Sequence, residues 1–352
     1  MTLPLLLLLA SAAVIYLSCG YFVNAVEWAG TRLGVSRNAV GTVLAAFGTA
    51  LPESVVTFVA VVFGKDAAAR DIGVGAALGG PLVLATIGYA VVGLAHLMQH
   101  RNGRRMPIDA IAVARLRRDL AWFMAIFLCK VGLGLLAFAW KPWLGVAFLA
   151  AYALYVYREM RRVACASSAQ ASHASRRIDE DDLALAPLKF QPKATEPSTG
   201  WVLLQTGAAL VVIFLSSQLF VHQLDALGPV LHLSPQLVAL LLSPIATELP
   251  EIMNAVIWVR QGKFRLALGN ISGAMMIQAT IPSALGLFFT PWLLRPALLW
   301  AGVVTMLSIT GLSWLMRTPA KSARREGISA GALALFGAFY FLFAIGLLWL
   351  PG

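Results

Sequence analysis

Two short strings carry chemistry that a bilayer would otherwise exclude. Thr49-Ala50-Leu51-Pro52-Glu53 and Thr247-Glu248-Leu249-Pro250-Glu251 both lie in apolar runs, in register 198 positions apart. Each sets a carboxylate directly after a proline. Proline has no N–H and clashes with the preceding turn, so the carbonyl four residues back loses its helical partner. Those carbonyls belong to Gly48 and Ala246. Free carbonyls and carboxylates at membrane depth are tolerated only where they face protein or a polar cavity. Together they make an anionic, oxygen-rich site, which is the chemistry of a hard cation.

The neighbouring residues extend the donor set. Thr49, Glu53 and Thr57 share one helix face by their spacing of four, as do Ser243, Thr247 and Glu251, with Asn254 three further on. Glu248 is an extra carboxylate on or near that face. A following stretch, Gly269-Asn270-Ile271-Ser272-Gly273-Ala274 with Gln278 beyond, places Asn270 and Gln278 eight apart, able to point the same way. The matching stretch of the first half, Gly73 to Gly80, brings small residues that permit close approach but no ligand atoms. Ca2+ takes about six to eight oxygens. Thr49, Glu53, Thr247, Glu251, Asn270 and freed carbonyls can supply them, with Glu53 and Glu251 as the metal-binding acids. Glu248 would bring a third negative charge. One divalent ion leaves one of three charges uncovered, so a proton or monovalent cation must cover it, or Glu248 must face elsewhere.

The elements holding these groups are membrane helices. The 352 residues are 59% hydrophobic and only 12% charged, about half the charged fraction of a soluble domain, with a mean hydropathy of +0.79. Apolar runs of bilayer length predict ten spans, roughly 3–28, 39–63, 72–98, 120–139, 142–157, 201–226, 235–259, 266–289, 296–316 and 327–350. Lys and Arg number 22 in the loops after odd spans and 4 after even spans, with Lys130 inside span four. That bias puts the odd loops in the cytoplasm and both termini outside. The net charge of +11 therefore reports orientation, not nucleic-acid binding. Cys19 and Cys129 read as small buried hydrophobes, Cys165 adds no metal-like spacing, and Glu27 reads as a solvated residue near a span end.

The 198-residue register makes the chain an internal repeat. Residues 1–157 form a first unit with its core repeat at 39–98, and 201–352 a second with its core repeat at 235–289. Residues 158–200 form a cytoplasmic connection, rich in Ala, Ser, Pro and charge, that composition predicts to be mobile. Its acidic Asp179-Glu180-Asp181-Asp182 run lacks the spacing of a calcium loop. Ile108–Arg118 reads as a basic amphipathic helix on the lipid surface. Five spans per unit invert the second relative to the first, which is the architecture of repeat-built transporters. The fold class is thus an all-α integral membrane protein, ten transmembrane helices as two inverted five-helix repeats.

On these motifs the chain resembles the cation/Ca2+ exchanger superfamily, which includes the sodium/calcium exchangers. That family carries a Gly-Thr-Ser-x-Pro-Glu signature in each of two inverted repeats, here at 48–53 and 246–251. A Gly-Asn/Asp-x-x-Gly-Ser-Asn signature follows, here in reduced form at 75–81 and 269–275. The resemblance implies ion ligands at Thr49, Glu53, Thr247, Glu251 and Asn270. The chain departs from the pattern at Ala50, Glu248, Ala76, Gly80-Pro81 and Ala274-Met275. Repeat one has lost polar groups while repeat two has gained a carboxylate. Fewer hydroxyls and amides mean fewer Na+ sites, which brings proton coupling into play.

The expected function is an inner-membrane, ion-coupled antiporter that exports Ca2+ or a similar divalent cation against Na+ or H+ by alternating access. It would catalyse no chemistry and use no cofactor beyond the transported cations. Its partners would be lipid and inorganic cations, with no nucleic acid, and the oligomeric state is open. A cation channel would need a continuous polar pore. A non-transporting scaffold or sensor would fit a degenerate site.

Overall fold

The computed structural model describes residues 2–33, 46, 50, 54, 57–58, 61–62, 67–99, 105–170, 185–227, 244, 247–317 and 327–350. Long helices dominate them, because their sequences are apolar around most of the circumference and bury inward or face lipid. In chain order they are α1 (Thr2–Arg32), α2 (Ala67–Val83), α3 (Tyr89–Gln99), α4 (Ala110–Leu133), α5 (Leu144–Gln170), α6 (Thr199–Leu227), α7 (Leu249–Arg260), α8 (Phe264–Phe289), α9 (Pro296–Leu315), α10 (Ala330–Ala334) and α11 (Gly337–Leu347). Six stretches among the described residues are long and apolar enough to cross a membrane: Pro4–Arg32, Val74–Gln99, Thr199–Ser216, Phe264–Phe289, Pro296–Leu315 and Ala330–Leu347.

α8 is the central element. It is buried along most of its length and packs against α2, α4, α5 and α7. α1 lies along α6 as a long pair and also meets α7. α2 and α3 are one helix joined by a π-helical stretch, Leu84–Gly88. Pro81 starts the irregularity by withholding its N–H. Thr86 then donates its hydroxyl to the Leu82 carbonyl at 2.6 Å, and Ser308 of α9 donates to the Ala85 carbonyl at 2.7 Å. The distortion is therefore satisfied from within the protein, as lipid-embedded backbone requires.

Three local expectations are corrected. The helix expected at Ile108–Arg118 is present but longer: it is the first part of α4, which runs unbroken to Leu133. Asp109 caps it, accepting from the Ala112 N–H at 3.0 Å. α5 continues to Gln170, past the expected end at 157. The connection expected to be mobile holds an ordered part, residues 185–198, which crosses α1 and α6. Asn24 of α1 donates to the carbonyls of Ala186 (3.2 Å) and Pro187 (3.3 Å) and accepts from the Lys189 N–H. Gln205 of α6 accepts from the Phe190 N–H at 2.7 Å and donates to Asn24 at 3.0 Å. Leu188 is fully buried against Ala25 and Val202. Composition missed this strap because two buried amides on distant helices supply its hydrogen bonds. The 179–182 acidic run lies outside the described residues.

Glu27 is the fourth correction. It is buried rather than solvated, accepting from Trp258 Nε1 at 2.8 Å and pairing with Lys263 at 2.5 Å. Its partners arrive from the end of α7 and the turn before α8, which no reading of α1 alone could supply. A two-stranded ribbon, β1 (Arg105–Met106) against β2 (Ile328–Ser329), ties the segment after α3 to the one before α10.

Candidate functional site

The second Pro-Glu string builds its own geometry. Glu248 precedes α7 with helical backbone angles, and its N–H bonds the Pro244 carbonyl at 3.1 Å. Thr247, half-buried, donates its hydroxyl to the same carbonyl at 3.2 Å. Pro250 sits in the first turn of α7, where a missing N–H costs least. Glu251 follows in that first turn, where the positive end of the helix dipole favours a carboxylate. Cys19 of α1 points its thiol at the Pro250 carbonyl, 3.7 Å away. This hydrogen-bonding role was not legible in its apolar sequence context.

Antiparallel packing of α7 on α8 brings the two expected amides to this segment. Asn270 donates through Nδ2 to the backbone carbonyl of Glu251 at 3.0 Å. Two turns on, Gln278 Nε2 reaches both carboxylate oxygens of Glu248, each at 2.7 Å. Glu248, Asn254 and Asn270 are fully buried, and Glu251 and Gln278 are 1% exposed. The eight-residue spacing of Asn270 and Gln278 thus does place both on one face, and that face meets the Pro244–Glu251 turn.

Two of these amides have oxygens left over. Asn270 Oδ1, and both side-chain polar atoms of Asn254, have no hydrogen-bond partner among the described residues. Thr57 Oγ1 of the first Pro-Glu region, 1% exposed, is in the same condition. A buried acceptor left unmade costs about 1–3 kcal/mol. Glu251 and Asn254 stand one helical turn apart on α7, and Asn270 faces them from α8. Asn254 and Asn270 thus hold buried amide oxygens beside Glu251, and no nucleophile–base pair adjoins them among the described residues.

A glycine of α2 brings the first half of the chain against this turn. A Cβ at Gly79 of α2 would lie 2.6 Å from Pro244 Cγ, so glycine alone lets α2 approach the turn that ends at Glu248. Ser54 is buried and donates to the Ala50 carbonyl at 2.9 Å. Gly48, Thr49 and Glu53, together with Ser243 and Ala246, lie outside the described residues. Among the described residues no group of three or more His, Cys, Asp or Glu gathers.

Lys130 was legible as a lysine within an apolar span, but its contact was not. It is fully buried, and its ammonium donates to the Ala77 carbonyl of α2 at 2.7 Å while lying 4.7 Å above the Phe127 ring. Trp292 holds the backbone at this point, donating from Nε1 to the Lys130 carbonyl at 3.0 Å.

Comparison with known proteins agrees with this architecture. The family described as sodium/calcium exchanger protein matches residues 3–160 and 201–349. CaxA of Alkalimonas amylolytica, a protein named as an antiporter, is 25% identical over 336 residues, covering 93% of this chain and 94% of that protein. The inner membrane protein YrbG of Escherichia coli strain K12 is 25% identical over 300 residues, covering 84% and 83%. Structures of the sodium-calcium exchanger NCX_Mj superpose with TM-scores of 0.70 and 0.71 at 19% identity, over 98% of both chains. At that identity the likeness establishes the fold, a membrane exchanger fold built of helices. The family match covers most of the sequence, and its members are transporters rather than enzymes. The chain belongs to the sodium/calcium exchanger protein family.

Proposed function

We propose that the protein is an ion-coupled antiporter of the inner membrane that exports Ca2+ or a similar divalent cation in exchange for Na+ or H+. Its working unit is ten transmembrane helices in two inverted repeats, residues 1–157 and 201–352. Residues 158–200 lie on the cytoplasmic side and both termini outside. Glu251 and Glu53 are the acids that bind the cation. Thr49, Thr247, Asn270 and the carbonyls of Gly48 and Ala246 complete the oxygen shell, and Asn254, Ser243 and Gln278 adjoin it.

The observation that carries this reading is the set of buried oxygens around Glu251. Asn270 Oδ1 and Asn254 Oδ1 have no protein partner among the described residues, although both amides are fully buried. A cation beside Glu251 satisfies both, and a channel lining would not need them enclosed. Coupling follows from competition. The same carboxylates hold either the divalent ion or the coupling ions, so one leaves as the other arrives. Inverted halves that exchange conformations open the site to one side at a time.

The test is radiolabelled Ca2+ flux in proteoliposomes under imposed Na+ or pH gradients, with Mn2+ and Mg2+ as competitors. Gradient-driven flux lost in Glu251→Gln and Glu53→Gln is the expected result. Divalent flux that neither gradient drives ends the proposal.

A further inference from the structure

α4 enters and α5 leaves the apolar zone at the same level. The expected spans begin at 120 and end at 157, and Arg118 and Arg158 stand just outside those limits. Arg115 of α4 pairs with the buried Glu159 of α5 at 3.6 Å, so the two helices are joined at this height. On the outer side of the same turns the Arg158 guanidinium reaches across from α5 to lie 5.3 Å from the centre of the Trp122 ring of α4. Arg118 stands one turn before Trp122 on the same face of α4. Arg161, one turn beyond Arg158, lies 5.5 Å from the centre of the Tyr157 ring. All three arginines are exposed. Among the described residues none of them pairs with an acid: Glu159 turns inward to Arg115, and Asp119 is buried.

We propose that Arg118, Arg158 and Arg161, with Trp122, bind the headgroup of an anionic phospholipid whose acyl chains run along Leu154 and Ala125. A guanidinium fork matches two phosphate oxygens, so arginines without acidic partners form a phosphate site. Trp and Tyr beside them mark headgroup depth. Leu154, one turn before Arg158, and Ala125, three residues past Trp122, are exposed and continue the cluster into the apolar zone. A soluble anion has no use for that apolar lane, whereas a lipid tail does. On the proposed orientation both helix ends face the cytoplasmic leaflet, which is anionic. A phosphate held here bridges α4 and α5, which both pack on α8, the helix that carries Asn270 and Gln278. Lipid binding at this place is independent of which ions the protein exchanges.

The experiment is native mass spectrometry of the full chain in detergent micelles, titrated with phosphatidylglycerol or with phosphatidylcholine. Phosphatidylglycerol is expected to bind more tightly. Each arginine at an anionic surface contributes about five-fold in affinity, so Arg118→Gln should weaken phosphatidylglycerol binding about five-fold and Arg158→Gln with Arg161→Gln about 25-fold. Arg117→Gln removes the same charge from an exposed residue turned about 100° around α4 from Arg118, and should leave binding unchanged. Equal affinity for the two lipids overturns the proposal. A loss in Arg117→Gln equal to that in Arg118→Gln also overturns it, because general surface charge then accounts for the binding. Displacement of the bound lipid by inorganic phosphate overturns the lipid assignment in favour of a soluble anion. If the variants fail to fold, lipid preference and phosphate displacement in the wild type still decide. None of these outcomes bears on antiport, which the flux assay tests separately.

Discussion

The contact between Gln278 and Glu248 allows a quantitative test of how the site is held. One amide nitrogen lies 2.7 Å from both oxygens of a fully buried carboxylate. Glu248→Leu and Gln278→Leu each strand the partner, and the double variant removes both polar groups. Hydrogen bonds to a charged group contribute about 1.5–3 kcal/mol, whereas side-chain bonds between membrane helices average about 0.6 kcal/mol and reach about 1.7. The short, two-oxygen geometry with an anionic Glu248 predicts a coupling energy of about 1.5–3 kcal/mol. The assay is reversible unfolding of the four purified proteins in mixed detergent micelles, analysed as a double-mutant cycle. A coupling near 0.6 kcal/mol would put the pair among ordinary hydrogen bonds between membrane helices and refute the charged one. Additivity within about 0.5 kcal/mol would mean that the pair is not made, and would refute the packing of α8 on the Pro244–Glu251 turn.

Gly79→Ala puts a methyl 2.6 Å from Pro244 Cγ. It should destabilise the fold by about 1–3 kcal/mol and lower flux, while Gly207→Ala, where no atom lies within 4 Å, serves as the neutral control in the same unfolding and flux assays. Asn24→Ala with Gln205→Ala removes the amides that hold residues 185–198. Limited proteolysis should then cut within that strap many times faster than in the wild type. Lys141 lies outside the spans, donates to the Leu136 and Trp292 carbonyls, and has its proton affinity lowered from an ordinary pKa of 10.5 by burial. The folded chain binds this proton less tightly than the unfolded one. Stability should therefore rise as pH climbs from the folded pKa towards 10.5, with the full cost present below both. Lys141→Met should flatten that rise in unfolding midpoints measured across the alkaline range.

Residues whose role depends on local spacing were legible from the chain alone. Asn270 and Gln278, eight apart, do face one partner, and Pro250 does open α7 immediately before Glu251. Close approach at the glycine-rich stretch of α2 could also be anticipated, since small residues have few other uses between packed membrane helices. Residues whose role depends on a partner from elsewhere were not. Glu27 looked like a solvated acid because Trp258 and Lys263 lie more than two hundred positions away. The 185–198 strap looked like linker because composition carries no trace of Asn24 and Gln205. Asp109 caps a helix that hydropathy divided in two, since the charged turns of α4 resemble a loop to a window average.

Apolarity and the Pro-Glu repeat determined on their own that this is a helical membrane protein of the exchanger type. They could do so because a bilayer permits few backbone solutions and penalises every ionised group it encloses. Only tertiary structure decided what each polar group meets: Gln278 on Glu248, Asn270 on the Glu251 carbonyl, and Lys130 on the carbonyl that Pro81 leaves open. Those contacts join helices whose order in the chain does not specify their neighbours, and a hydrogen bond depends on ångströms of separation that hydropathy and spacing do not encode.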